Sequence, residues 1–138
     1  MSFTLEILAN EPILLVKVSP DFVPKLHAAD SARQETELLD GLEQPVYRLV
    51  DLLDMQTFDL EDLVVSADVS ARRPDAIDLH PNIIKNVYVT QSPIQQQALR
   101  GMANEIFGSI EVVIVETREE ALAWIHQHLA ETGLAPSG

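Results

Sequence analysis

The chain has 138 residues, the size of one domain, and a formal net charge of −13 from 22 acidic and 9 basic residues. Such a surface is well solvated and repels phosphate backbones and anionic lipid headgroups, which argues against nucleic-acid and membrane partners; a basic protein partner is the sharper reading of the same charge. There is no cysteine, which excludes disulfides, a thiolate nucleophile and cysteine-ligated metal sites.

Met1 to Pro12 lacks the basic start and long apolar run of a secretory leader, and no apolar run approaches the ~18 residues of a membrane span. The expected compartment is the cytoplasm. Phe3 to Leu8 alternates apolar and polar residues, Asn10-Glu11-Pro12 interrupts it, and Ile13 to Val18 follows as a more buried run. This predicts an N-terminal hairpin, ended at Ser19-Pro20-Asp21 because proline donates nothing to a sheet ladder.

From Phe22 to Leu42 the period becomes helical. Ser31 with Gln34 suits a capping box, and Pro24 is an alternative, earlier start. Ala32, Thr36, Leu39 and Leu42, with Leu38 beside them, are the expected core stripe. Glu35, Glu37 and Glu43 are expected to face water. Val46 to Leu52 predicts a central strand, with Asp51 near the carboxyl end where open α/β sheets usually bind ligands. Asp59 is placed to cap a second helix running to about Ala71, with Asp62 in its first turn and a Phe58–Leu63 staple. Arg72-Arg73-Pro74 ends it.

Asp75 to Pro81 reads as a connector and Ile83 to Thr90 as a third buried strand. Ser92-Pro93 opens a helix, with Gln95 as its box partner, Leu99, Met102, Ala103 and Ile106 as its apolar stripe, and Gly108 at its end. Ile110 to Val115 is the clearest strand signal. Thr117 and Glu120 start a last helix that buries Ala121, Leu122, Ile125 and Leu129 and stops near Gly133. The expected architecture is one α/β domain over residues 1–133, with a mixed, mostly parallel sheet, an N-terminal hairpin and about four helices; residues 134–138 are expected to fray.

Candidate chemistry is sparse. His126 and His128 are two apart on a helix and diverge, and His27 and His80 are isolated, so no metal site is assigned. Asp51 and Asp54 flank the carboxyl end of the central strand. With Thr90 and Ser92 after the next strand they form a candidate site for a small apolar or anionic ligand. Their alternative roles are turn formation and helix capping. No GxGxxG, Walker A or GxSxG sequence is present, so no cofactor and no catalytic residue is assigned. Arg72 and Arg73 are the only basic pair, suited to a helix C-terminus or to docking an acidic group, and Trp124 is a candidate interface aromatic.

Ile83 to Val89, and above all Ile110 to Val115 followed by Thr117-Arg118-Glu119-Glu120-Ala121 and Ala123-Trp124, resemble the closing half of the SpoIIAA-like family, whose fold groups with STAS and Sec14-type domains. Tyr47 to Asp51 is similar to that family's middle strand, and the order of elements agrees over residues 3–130. The resemblance implies a small STAS-like α/β domain with a mixed sheet and little chemistry. The expected function is a regulatory or protein-binding module that acts through a protein partner or self-association; binding of a small apolar or anionic ligand is the second reading, and an enzyme using Asp51 and Asp54 the third. Related anti-anti-sigma domains are switched by phosphorylation of a serine in an aspartate-serine-x-glycine stretch. The comparable segment here, Asp54 to Asp59, has neither that serine nor that glycine, and Thr57 is its candidate phosphorylation site.

Overall fold

The computed structural model describes residues 2–55, 61–62, 77–101 and 112–132. In chain order these form β1 (Phe3–Ile7), β2 (Ile13–Val18), α1 (Pro24–Asp40), β3 (Val46–Asp51), a 3-10 turn (Ile77–Leu79), β4 (Ile83–Val89), α2 (Pro93–Gly101), β5 (Val112–Val115) and α3 (Arg118–Thr132). The five strands lie side by side in sequence order. β1 pairs antiparallel with β2, from Phe3 opposite Val18 to Ile7 opposite Leu14, and the other three pairings are parallel.

Each crossover steps the chain one strand further in the same direction, so right-handed connections bring α1 and α2 to one face. On that face Leu39 and Leu99 pack with Leu14, Val16, Val46, Val50 and Tyr88. Beyond the edge strand β5 the chain turns back, and α3 covers the other face. There Ala121, Ile125 and Leu129 meet Ile13, Leu15, Tyr47, Leu49, Val87 and Val89. Covering on both faces explains why β3 is buried along its whole length. A smaller cluster of Phe3, Val18 and Phe22 closes the β1 side.

Three α-helices occur among the described residues, rather than about four. The helix expected from Asp59 to Ala71 lies outside them except for Glu61 and Asp62, which are helical. Its Asp59 cap, its Phe58–Leu63 staple, Arg72, Arg73 and Thr57 lie outside the described residues, as do Met102, Ala103, Ile106, Gly108, Ile110 and Gly133. No helix among the described residues is long and apolar enough to cross a membrane.

The start of α1 differs from the capping-box expectation. Val23 is the extended N-cap and Pro24 the first helical residue. The exposed donors of this first turn are met from side chains: Val23 N–H donates to His27 Nδ1 at 2.9 Å, and Lys25 N–H to the buried Asp62 carboxylate at 2.9 Å. Ser31 is therefore mid-helix and buried, where its hydroxyl donates to Glu35 at 2.9 Å. Glu35, expected in water, is 1% exposed, because it holds a buried arginine. Glu37 and Glu43 are exposed as expected. The helix stops at Gly41 in an ordinary right-handed conformation, and Leu42 packs on the core from beyond its end.

Candidate functional site

The carboxyl ends of β2, β3, β4 and β5 bring Lys17, Asp51, Thr90 and Glu116 to one edge of the sheet. β3 delivers Asp51, directly paired in register with Lys17. One Asp51 oxygen accepts the Leu53 N–H at 3.0 Å, which turns the chain away from the sheet. The other accepts from Arg118 Nη2 at 2.8 Å, in an ion pair whose carboxylate is buried and whose guanidinium is partly exposed. Arg118 is held there because Thr117 caps α3: Glu120 N–H donates to Thr117 Oγ1 at 3.0 Å. Asp54 lies further out, at 3.7 Å from Lys17 Nζ, with both side chains about half exposed. The two aspartates thus answer to different cations.

Thr90 is buried, and its hydroxyl accepts the Ser92 N–H at 3.1 Å while donating to Gln95 Oε1. Ser92 Oγ accepts the Gln95 N–H at 3.3 Å, so it caps α2 as its sequence predicts. Gln95 does not complete the reciprocal box. Its buried amide instead spans from Thr90 to Met55 Sδ at 3.2 Å, because Thr90 already satisfies the N–H of Ser92. Gln91 reaches the Glu116 carbonyl at 3.0 Å and ties the β4 and β5 exits together. Asp51, Thr90 and Ser92 therefore meet at one edge, each bonded to the protein itself.

The four histidines are engaged elsewhere. His27 accepts from the α1 N-terminus, His80 Nε2 donates to Asp40 at 2.7 Å, His126 bonds Glu11, and His128 Nδ1 bonds the Tyr47 hydroxyl. None is the base that Ser92 would need to become a nucleophile. Among the described residues no group of three or more His, Asp or Glu side chains could hold a metal ion. Beside its charged groups the edge presents apolar side chains. Leu26, Leu53 and Ile94 are 70%, 41% and 65% exposed, and they follow the exits of β2, β3 and β4 respectively.

The architecture can be compared with solved structures. The NMR structure of the protein TM1081 aligns with a TM-score of 0.54 and 15% identity, over 92% of this chain and 90% of that one. The crystal structure of an uncharacterized protein from the DUF3478 family with a SpoIIAA-like fold, from Shewanella loihica PV-4, aligns with a TM-score of 0.50 and 18% identity, over 88% of this chain and 90% of that one. The fold is SpoIIAA-like. No protein-family model matches the chain, and no curated protein matches it by sequence. The SpoIIAA-like architecture accounts for the mixed sheet and the closing helix that the Thr117 to Trp124 segment suggested.

Two side-chain assemblies in this SpoIIAA-like chain were not anticipated from sequence. Arg48, 5% exposed in the middle of β3, donates from Nε to Glu35 at 2.6 Å and from Nη1 to Tyr88 Oη at 2.9 Å and Asn86 Oδ1 at 3.3 Å. Its only sequence signal is a charge inside an otherwise apolar run. On the opposite face, Trp124 stacks on His128 with centroids 5.0 Å apart, and both rings stand edge-on to Tyr47. Burial pushes the Tyr47 phenol above its ordinary value of 10.0. Trp124 is half-buried, one side spent in this stack.

Proposed function

We propose that the protein is a non-enzymatic regulatory or protein-interaction module whose partner docks on the carboxyl edge of the sheet. The observation that supports this reading is the trio Leu26, Leu53 and Ile94, exposed after three adjacent parallel strands. Single apolar side chains on a surface are ordinary; three that follow neighbouring strand exits at one edge would give a docking partner apolar surface to cover. Charged groups at the same edge, Lys17, Asp54 and Arg118, supply a polar rim. The hydrogen bonds that consume Asp51, Thr90 and Ser92 make the edge a preorganised platform rather than a reacting centre. A net charge of −13 favours a basic partner, drawn in by long-range attraction. Thr57, in the sequence segment after β3, is the hydroxyl that would carry a regulatory phosphoryl group, which would add negative charge to the chain.

A photo-crosslinking residue at position 94, expressed in the native host, tests this directly. The expected outcome is a covalent adduct with a second polypeptide, lost when Leu26→Asp is added. A second copy of this chain in the adduct would make self-association the interaction. No adduct at position 94, with adducts formed instead at position 127 on α3, would place binding elsewhere and overturn the reading. Native mass spectrometry of the same preparation reads phosphorylation as an increment of about 80 Da, expected at Thr57 and absent from Thr57→Ala.

A further inference from the structure

The opposite edge of the sheet holds a groove of about 630 Å³ where β2, β3 and β4 begin. That volume falls in the roughly 300–1,000 Å³ range of small-molecule sites. Its apolar walls are Leu8, Pro12, Leu42, Val46, Ile84 and Leu129, and Ile7 beside them is 40% exposed. Three local irregularities border the groove. Asn10 turns the β1–β2 hairpin with φ 63°, a left-handed conformation that asparagine tolerates better than most residues. Between the pairs Val46–Ile83 and Arg48–Asn86 the fourth strand carries one residue more than the third. Such a bulge bends its strand and re-aims a side chain, here at Ile84. Leu42 lies just past the end of α1 and reaches the core without extending the helix.

The groove's charged groups have one sign, beside the neutral Asn10 and Gln44. Glu11 and Glu43 line it, and none of its lining residues is basic. Glu11 also accepts from His126 on α3, which ties the hairpin tip to the opposite wall. Glu43 is exposed and makes no hydrogen bond or ion pair among the described residues. An anionic amphiphile entering this groove would meet two carboxylates and the field of a chain of net charge −13. A cation would be attracted by the same groups while its hydrocarbon leaves water for the apolar walls.

We infer that this amino-edge groove binds a small amphiphilic organic cation, its apolar body between Leu8, Leu42, Ile84 and Leu129 and its ammonium group beside Glu11 and Glu43. The site is separate from the carboxyl-edge surface and does not depend on that reading.

Titration of the full chain, followed by amide NMR, with octylammonium, octanoate and 1-octanol as probes tests it. These share a tail and differ in head-group charge. Octylammonium is expected to shift the amides of Leu8, Leu42 and Ile84 and to bind about tenfold more tightly than octanoate, since each partly exposed carboxylate contributes roughly a factor of two to five. Glu43→Gln, at a solvent-exposed position that should not affect folding, is expected to weaken octylammonium by about that factor and to leave octanol unchanged. Octanoate binding as tightly as octylammonium, shifts confined to Leu26, Leu53 and Ile94, or no shift at saturating probe would each overturn the assignment.

Discussion

Tyr47 and Arg48 are neighbours on β3, point to opposite faces and are both buried, yet their surroundings differ. On the α3 face, Tyr47 sits among aliphatic side chains and two stacked rings, and its one polar atom bonds His128 near the surface. On the α1 face, Arg48 carries a full charge into the core and is answered by Glu35, Asn86 and Tyr88, with Ser31 bonding the second Glu35 oxygen. One face is built from non-directional contacts that tolerate adjustment. The other adds to its apolar packing a set of directional bonds, each member of which fixes the next. Burying an ion pair costs much of what its attraction returns, so the network on the α1 face is expected to fix how α1 sits on the sheet more than to add stability.

The comparison can be broken most forcefully at Arg48. Arg48→Ala strands the Glu35 carboxylate in the core and is expected to cost about 3–5 kcal/mol in a denaturant titration. Replacing both partners, Arg48→Met with Glu35→Leu, is expected to cost less than the single change, because no uncompensated charge remains. A double variant as unstable as Arg48→Ala would mean that the pair itself stabilises the fold, contrary to the contrast between the faces. On the α3 face, Ile125→Ala is expected to cost about 3 kcal/mol through lost burial and a residual cavity, with no dependence on pH or salt. A pH-dependent loss there would show that the aromatic stack is electrostatically coupled to the helix. The smallest expected effect is at Tyr47→Phe, about 1 kcal/mol at neutral pH for one hydrogen bond. Because burial raises the folded-state pKa of Tyr47, the native state retains a proton that the unfolded chain loses near 10.0. Wild type should therefore lose stability as pH rises above about 10. Tyr47→Phe should lack this part of the slope, and thermal melts at pH 9 and pH 11 would show it.

Local patterns carried most of the architecture. The alternation in Phe3–Ile7, the apolar runs of β2 to β5 and the caps at Ser92 and Thr117 are interactions within a few residues, and the structure forms them at or within a residue or two of their expected places. The sequence left the start of α1 open between Ser31 and Pro24, and Pro24 is the one the structure uses; local signals could not decide because one of its donors is met by Asp62, 37 residues away. Glu35 misled for a related reason: helical period places it near the core stripe, but a carboxylate is assigned to water unless its partner is known. That partner sits 13 residues on, in another element.

The candidate site divides the same way. Asp51, Thr90 and Ser92 could be placed at one strand edge from sequence because α/β alternation fixes where strands exit. Which cations the aspartates meet, and that Thr90 spends its hydroxyl on Ser92 and Gln95, depend on the neighbouring elements. Apolar periodicity, turn residues and capping pairs act over a few positions, so the sequence by itself determined the order of the elements, the acidic surface and the mixed sheet. Long-range pairing decided the Arg48 network, the Tyr47 stack, the exposed trio at the carboxyl edge and the groove at the amino edge. Those features exist only where residues far apart in the chain share a face, an edge or a cavity, and only packing brings them together.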